Sequence, residues 1–260
     1  RPVGFFQILS KTYFKIFEIK RINRGPILID NLSIENKIKV FKKILKLGNI
    51  FKGKILSISP EISFFSIESI FFKSNRLFKL PIPNWKSSII LLENELDSIA
   101  TNLKPKWRNV LNFSKKQNIK INISQTSDGI DGVLKKYNEL KTKKNFNGIN
   151  SELIREISLI ENKFEQLYTF EAFKDDRIIA LIVISAQSNN SIYLLGWTND
   201  SGRKLNANNL LLWEAIIYLK EEKYKTFDLG GLIGNNHPID LFKLGLNGNY
   251  YENTGEYIKF

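Results

Sequence analysis

The chain has no cysteine and no methionine, and His237 is its single histidine. Without cysteine there are no disulfides, no thiolate metal sites and no cysteine nucleophile. A single histidine argues against a zinc site of the usual histidine kind and against any mechanism that needs two imidazoles. No window approaches the roughly 20 apolar residues of a membrane-spanning helix. The longest apolar run, IIALIVIS at 178–185, has the length of a strand.

What the chain does contain is enough apolar material for a sizeable core. Of its 260 residues 43% are hydrophobic, which suits one large domain or two smaller ones. Because translation starts at methionine, the lack of that residue suggests that the natural start lies upstream. We therefore expect the first domain to be truncated at its N-terminus.

The net charge of +13 is unevenly distributed. Residues 1–144 hold 28 Lys and Arg against 11 Asp and Glu, whereas residues 145–260 hold 11 against 15. Such a bias predicts an anionic partner for the first part, either nucleic acid, phosphate or an acidic membrane. The composition is also rich in Lys, Ile and Asn, as AT-rich coding gives. A solvated lysine surface is therefore an equal alternative.

The second half of the sequence predicts a meander followed by a helix and a strand. Strands are expected at 166–174, 177–185 and 191–197, because turn residues separate β-rich runs. A helix is expected at 205–222, where apolar residues recur at helical spacing, and a last strand at 224–231. The apolar positions of the helix are Leu212, Ala215, Ile216 and Leu219.

The first half repeats part of this order. Strands at 2–9 and 13–22 precede a helix at 33–49 and a strand at 52–59. Pro81 and Pro83 mark a linker, and two helices follow it, the second with Pro105 in its first turn. The sequence thus predicts an α/β (α+β) chain of two similar domains, residues 1–86 and residues 87–260.

The end of the chain places one lysine in an apolar, glycine-rich setting. The stretch FDLGGLIGNNHPIDLFKLGLNG begins like a strand, breaks at a glycine pair and continues through a polar loop. Lys243 lies near its end, between apolar residues. Its ammonium either reaches water from a strand edge or is directed at an anion.

Three stretches in order resemble the FemABX peptidyltransferases. They are LKPKWRNVLNFSKKQNIKI, LNANNLLLWEAIIYLKEEKYKTFDLGG and LFKLGLNGNYYENTGEY, and INRGPIL at 22–28 is similar to a first-domain segment of that family. The resemblance covers nearly the whole chain. It implies two tandem GNAT-like domains and a cytoplasmic enzyme that transfers an amino acid from aminoacyl-tRNA to the stem peptide of a peptidoglycan precursor.

The same resemblance suggests roles for two residues and names the partners. Lys243 matches the lysine of the family's Phe-Lys pair, which lies near the acyl ester and the terminal phosphate. Phe242 would pack beside the terminal adenosine or the substrate. Aminoacyl-tRNA is the co-substrate, a UDP-linked or lipid-linked precursor is the acceptor, and no metal or other cofactor is implied. Peripheral contact with an acidic membrane is left open.

Other candidates come from position in the sequence. Asp228 ends a strand beside Gly230 and Gly231, where it would either accept a proton from the amine or fix the loop. The glycine pair allows a bend or a close backbone approach. Tyr193 either projects toward the expected cleft or belongs to the core. His237 lies in a polar loop and is interpreted as incidental.

Two basic regions could bind phosphates. From 104 to 120 there are six basic residues and no acidic one, and Lys104 and Arg108 are four residues apart on one helix face. They would contact phosphates of the precursor or of tRNA, or form a solvated face. Where the family often has an arginine for the precursor diphosphate, Lys143 or Lys144 would substitute. A lysine lacks the bidentate fork of arginine, which leaves the acceptor open.

Two alternatives compete with this interpretation. An acyl-CoA-dependent N-acyltransferase would bind acetyl-CoA through a glycine-rich loop at a helix N-terminus. The corresponding stretch here, NDSGRKLNANN at 199–209, has one glycine, which counts against coenzyme A. The other alternative is a non-catalytic GNAT-like protein that binds RNA or an anionic surface.

Overall fold

The computed structural model describes residues 2–125, 129–160 and 165–260. The chain divides into two compact units: Arg1–Lys86 together with Tyr251–Phe260 (unit 1), and Ser87–Tyr250 (unit 2). The sequence places residues 251–260 in the predicted second domain. They lie in unit 1 because the last strand of the chain pairs with strands of that unit.

Fourteen strands and nine α-helices span the described residues. The strands are β1 (Gly4–Phe5), β2 (Leu9–Tyr13), β3 (Phe17–Asn23), β4 (Ile27–Leu28), β5 (Lys54–Ser59), β6 (Phe78–Lys79), β7 (Lys86–Leu91), β8 (Lys120–Ser124), β9 (Glu165–Lys174), β10 (Arg177–Gln187), β11 (Asn190–Thr198), β12 (Thr226–Asp228), β13 (Asn249–Glu252) and β14 (Tyr257–Lys259). The helices are α1 (Ile34–Leu45), α2 (Ile67–Ser74), α3 (Leu96–Asn102), α4 (Pro105–Lys115), α5 (Ile130–Lys144), α6 (Ser151–Ser158), α7 (Asp200–Lys204), α8 (Ala207–Glu221) and α9 (Pro238–Leu244). None of these helices combines the length and the apolar character that a bilayer crossing requires.

Unit 1 is built on a five-stranded sheet in the order β2-β3-β5-β14-β6. The hairpin β2–β3 is antiparallel, and α1 carries the chain over to β5, which runs parallel to β3. Ser33 caps α1 by accepting a hydrogen bond from the backbone N–H of Asn36. The core of this unit lies between the sheet and the helices α1 and α2, and it includes Ile22, Phe41, Ile58, Phe72 and Tyr257.

Unit 2 is built on a seven-stranded sheet in the order β13-β7-β12-β11-β10-β9-β8. The strands β9, β10 and β11 form the antiparallel meander that the sequence predicts, and α8 connects β11 to the parallel strand β12. In both units an antiparallel pair is followed by a helical crossover to a parallel strand. The predicted internal repeat is therefore confirmed as a repeat of topology.

The helix α8 organises the core of unit 2. Its buried residues lie on nearly all sides because it packs against the meander and against α4. This explains why its apolar positions extend beyond a single stripe. They include Leu211, Leu212, Trp213, Ile216 and Leu219. The predicted helix and the predicted start of α4 at Pro105 are both confirmed.

Four local predictions differ from the structure. The expected strand at 2–9 is reduced to β1 (Gly4–Phe5), which pairs with β4. The expected strand at 13–22 is interrupted by a turn, in which Phe14 and Lys15 have φ of 52° and 58°. The segment KSSIIL, which follows the predicted linker and for which no strand is predicted, forms β7. The segment PIDLFKL, expected to be loop and strand edge, forms the helix α9. The turn is a local feature of the hairpin, whereas β7 and α9 are short and are held by partners distant in sequence, β12 and Trp107.

Candidate active site

The strands β11 and β12 leave part of one strand edge open. They pair in parallel only through Asn190–Ile192 and Thr226–Asp228, although β11 continues to Thr198. On its other edge β11 pairs with β10, with an irregularity between Val183 and Ile184. Among the described residues no strand pairs with the β12 side of β11 beyond Ile192. Ligands of open α/β sheets bind at the carboxyl ends of parallel strands, so this opening is where we place the candidate site.

The turn after β12 is fixed by Asp228. Its Oδ1 atom accepts a hydrogen bond from the backbone N–H of Gly230 at 2.8 Å, and the Ser87 hydroxyl lies between this carboxylate and the carbonyl oxygen of Gly230. Gly230 has φ of +73°, and a Cβ atom there would lie 2.6 Å from the carbonyl oxygen of Tyr193. The geometry therefore fits the loop-fixing role of Asp228, while its role as proton acceptor stays a prediction.

Lys243 lies on α9 with only 6% of its surface exposed. Its Nζ donates a hydrogen bond of 2.8 Å to the carbonyl oxygen of Gly231 and lies 5.4 Å from the centre of the Tyr193 ring. It is therefore not a strand-edge lysine whose ammonium reaches water. An ammonium has three donors, and the described residues accept one of them, which leaves two that could bind a substrate.

The surroundings of Lys243 make its proton easy to lose. Burial lowers the pKa of Lys243 from 10.5 to about 8, and the negative charges of Asp240 and Asp228 oppose that shift. Burial disfavours the charged form because an ammonium loses hydration in the protein interior. At neutral pH the side chain is a desolvated cation, whose electrostatic effect on a nearby anion is stronger than that of a surface lysine.

Asp240 was not anticipated from the sequence. It is 4% exposed, and its two carboxylate oxygens accept hydrogen bonds from the backbone N–H groups of Ile233 and Gly234 at 2.9 and 2.6 Å. These two hydrogen bonds fix the loop before α9, and the carboxylate also places a negative charge near Lys243. An acidic residue two positions after Pro238 is a helix-start signal that could have identified both α9 and this aspartate.

His237 and Phe242 have structural contacts at the two ends of α9. The Nδ1 atom of His237 caps the helix by accepting a hydrogen bond from the N–H of Ile239 at 3.2 Å. The half-buried Phe242 accepts a hydrogen bond through its carbonyl oxygen from Nε1 of Trp107 at 3.0 Å. The histidine expected to be incidental thus has a capping role, and the Phe-Lys pair is held against α4.

The two candidates on α4 lie next to α9. The backbone N–H of Lys104 donates to the carbonyl oxygen of Gly245 at 3.0 Å, and the Lys104 side chain is exposed. Arg108 donates through Nη2 to the carbonyl oxygens of Thr101 and Leu103, at the C-terminal end of α3. Arg108 therefore caps the C-terminal end of α3, whereas the side chain of Lys104 extends into solvent.

The remaining candidates are placed differently. Tyr193 is half-buried, and burial raises the pKa of its hydroxyl, so it stays protonated at neutral pH. Lys143 and Lys144 are exposed in the last turn of α5, and Lys143 lines a groove of about 780 Å³ with Arg155. Among the described contacts none joins these two lysines to Lys243. The structure thus brings together Lys243, Asp228, Tyr193 and the glycine pair.

The described residues offer little for a metal ion or for the pyrophosphate of coenzyme A. No group of three or more His, Cys, Asp or Glu side chains in the described ranges is placed to hold a metal. Gly202 is the only glycine of the stretch 199–209, and a Cβ atom there would lie 2.2 Å from the carbonyl oxygen of Ile179. Its missing side chain therefore serves packing against β10.

Comparison with known proteins is consistent with this picture. A family model described as an acetyltransferase (GNAT) domain matches residues 104–243. Comparison by sequence with curated proteins gives no match.

Solved structures with similar folds cover nearly the whole chain. A crystal structure of FemX is 12% identical and has a TM-score of 0.76, covering 99% of this chain and 85% of that one. The C-terminal domain of a putative lysylphosphatidylglycerol synthetase from Agrobacterium fabrum has a TM-score of 0.63 at 14% identity, covering 98% and 82%. A tandem GNAT protein from the clavulanic acid biosynthesis pathway has a TM-score of 0.56 at 10% identity, covering 98% and 78%. At these identities the likeness shows the fold, which is the FemABX-like GNAT fold that the sequence predicts.

Proposed function

Because the chain belongs to the family of GNAT acetyltransferase domains and is therefore an acyltransferase, we propose that it transfers an amino acid from aminoacyl-tRNA to an amine. The acceptor we propose is the stem peptide of a UDP-linked or lipid-linked peptidoglycan precursor. The sequence resemblance to the FemABX peptidyltransferases and the structural likeness to FemX support this choice.

The observation that carries the proposal is the buried ammonium of Lys243 at the open edge of β11. A cation in this position suits an aminoacyl donor that carries negative charge next to the reacting ester. The 3′ end of an aminoacyl-tRNA is such a donor, because a phosphate lies close to its ester. It also matches the lysine of the Phe-Lys pair in the resembling family. Its backbone partner Gly231 holds Nζ 2.8 Å from a carbonyl oxygen and leaves donors for the substrate.

The proposed reaction is the aminolysis of an ester. The neutral amine of the acceptor attacks the ester carbonyl carbon, and a C–N bond forms as the bond from that carbon to the ribose oxygen breaks. The ammonium of Lys243 would stabilise the oxyanion that develops in between. The attacking amine loses one proton and the leaving ribose oxygen gains one. We propose that Asp228 accepts the proton from the amine before it passes to the ribose oxygen.

No covalent intermediate with the protein is needed for this step. Holding donor and acceptor together can contribute about 7 kcal/mol or more to lowering the barrier. A chain without cysteine and with a single histidine that caps a helix is compatible with such a mechanism.

An acyl-CoA-dependent N-acyltransferase is the second candidate. It is favoured by the α8 N-terminus, where the residue before the helix, Asn206, makes no side-chain capping bond among the described residues. Free backbone N–H groups at a helix start can bind a pyrophosphate. The packing of Gly202 against Ile179 argues the other way, because it removes the one glycine that could give a phosphate close access.

The test is transfer of label from a pool of radiolabelled aminoacyl-tRNAs to a muropeptide precursor, with Lys243→Ala alongside. We expect transfer by the wild type and a collapse of transfer in a variant that still folds. Thermal protection by acetyl-CoA without any transfer would favour the acyl-CoA enzyme instead. Salt-sensitive RNA binding that ignores both Lys243→Ala and the aminoacylation of the tRNA would indicate a non-catalytic RNA-binding protein.

A further inference from the structure

We propose that the solvent face of α4 binds the acceptor stem of the donor tRNA. This inference rests on the proposed function, and it adds to the site a surface that no comparison assigns. It concerns the nucleotides beyond the reacting 3′ end, which must leave the site along some face of unit 2.

The helix α4 has two distinct faces. Trp107, Leu111 and Ser114 are buried, and α4 packs against α8. The opposite side, which we call the α4 stripe, consists of exposed residues at helical spacing: Lys106, Asn109, Asn112, Phe113 and Lys116. From Lys106 to Lys116 the stripe extends about 15 Å at a rise of about 1.5 Å per residue. That length spans several phosphates of an RNA strand.

The chemistry of the α4 stripe suits RNA. A lysine stands at each end, and asparagine amides and a 45% exposed phenylalanine lie between them. Lysines and asparagines are common ligands of phosphate and ribose oxygens, and shape and backbone contacts dominate the recognition of double-stranded RNA. From 104 to 120 no acidic residue interrupts this surface.

Not every lysine of α4 belongs to the stripe. Nζ of Lys115 lies 5.1 Å from the centre of the Trp213 ring, and its charge opposes the burial-driven rise in the pKa of Glu214 on α8. It is therefore engaged with α8. Lys106 and Lys116 have no such acidic neighbour among the described ion pairs.

The other basic helix of unit 2 is less suitable. On α5, Lys136 lies over the Trp197 ring and Lys141 donates to the carbonyl oxygen of Ile149. Asp131 of the same helix pairs with Arg155 of α6. The positive charge of α5 is thus partly engaged within the protein and mixed with negative charge, whereas the α4 stripe contains no acidic residue.

The helix that carries the stripe is attached to α9, the helix that carries Lys243. In its first turn α4 touches the end of α9, through Nε1 of Trp107 on the carbonyl oxygen of Phe242 and through the N–H of Lys104 on that of Gly245, both at 3.0 Å. Lys106 lies one residue before Trp107. The proposal is that a nucleic acid whose 3′ end lies at Lys243 on α9 continues along the neighbouring helix α4.

The experiment compares two donors that carry the same amino acid. One is the full aminoacyl-tRNA, and the other is a 3′-aminoacylated ACCA tetranucleotide, which has the reacting end but no stem. The variant is Lys106→Glu with Lys116→Glu. Its matched control is Lys42→Glu with Lys43→Glu, two exposed lysines of the helix α1 in unit 1, which changes the net charge by the same amount.

We expect the α4 variant to lose about tenfold in kcat/KM for the full tRNA and to keep its rate with the tetranucleotide. The salt dependence of binding to uncharged tRNA should become shallower by a log–log slope of about 2, roughly 1 for each phosphate that a lysine no longer neutralises. The α1 variant should retain both values. Lys106→Ala with Lys116→Ala should change them in the same direction by less, which covers the case that the charge reversal impairs folding.

Three outcomes would overturn the inference. An equal loss with both donors would mean that these lysines act through the site or the fold. Unchanged kcat/KM for the full tRNA would place the stem elsewhere. If the wild type transfers from neither donor, the proposed function fails and this inference fails with it. In the first two outcomes the wild type still transfers, so they contradict this inference alone.

Discussion

Lys243 is a residue whose protonation state would set the activity of the candidate site. If it acts as a cation, kcat/KM for transfer should fall as the pH rises through about 8, where the pKa of the side chain lies. The profile of kcat/KM reports groups of the free enzyme. Lys243→Arg should remove this descending limb, because a guanidinium stays protonated in proteins. A limb that persists in Lys243→Arg belongs to another group, and a rate that rises through pH 8 would make Lys243 a base.

The lowered pKa of Lys243 also has a consequence that needs no substrate. Between pH 8 and 10.5 the unfolded chain binds more protons at this lysine than the folded one, so the free energy of unfolding should rise with pH in that window. The full rise corresponds to about 3 kcal/mol. Lys243→Met should lack it, as denaturant unfolding at about pH 7.5, 9 and 10.5 would show. If the free energy of unfolding changes with pH in the same way for the wild type and for Lys243→Met, Lys243 keeps an ordinary pKa.

Asp240 can be separated from Lys243 by a conservative change. Asp240→Asn keeps one acceptor oxygen but loses the charge and one of the two loop hydrogen bonds, so we expect a loss of about 1–3 kcal/mol in stability. Removing the negative charge should also lower the pKa of Lys243 further and move the descending limb to lower pH. If stability falls while the limb stays in place, Asp240 has only the structural role.

At the scale of elements, the turn after β12 depends on a glycine that no other residue can replace without strain. Gly230→Ala should destabilise the protein by about 1–3 kcal/mol, because its φ is +73° and the new Cβ would lie 2.6 Å from the Tyr193 carbonyl oxygen. Gly132→Ala is the matched control. It lies on α5 with no atom within 4 Å of the new Cβ, and we expect a gain of about 0.5–1 kcal/mol. Thermal unfolding would measure the change in stability of each variant relative to the wild type. An equal change at both sites would contradict the argument that Gly230→Ala introduces strain.

The sequence predicted those elements whose signal is local. The helix α8 is fifteen residues long with apolar residues at helical spacing, and the meander β9–β11 has turn residues between its strands. The helix α9 was missed because its seven residues are too few to show a period, and Gly245 follows them directly. Lys243 is a candidate because of its unusual setting in the sequence and the family resemblance. Asp240 and Ser87 were not predicted, because their partners are backbone groups and a side chain far along the chain.

At the scale of the whole molecule, the last strand decides the integrity of unit 1. Tyr257 of β14 is 1% exposed and lies beside the Phe72 ring, at 5.4 Å between centroids. Tyr257→Ala should cost about 3 kcal/mol or more through the cavity it leaves. The loss should appear in hydrogen exchange as weaker protection of α1 and β5, with α8 unaffected. Phe260→Ala, at a side chain that is 49% exposed, should change stability by no more than about 0.5 kcal/mol.

The position of β14 has a consequence for synthesis on the ribosome. Most of unit 2 lies within residues 87–250, and its edge strand β13 ends at Glu252, whereas unit 1 needs the later strand β14 between β5 and β6. A released chain that ends at Glu252, after β13 and before β14, should therefore yield a protease-resistant unit 2 and a digestible first segment, and equal resistance of both would contradict this order. The residues of unit 1 that are synthesised before unit 2 cannot complete their sheet until β14 has been synthesised. During that interval the unpaired edges of β5 and β6 are the part of the molecule that a chaperone would have to shield.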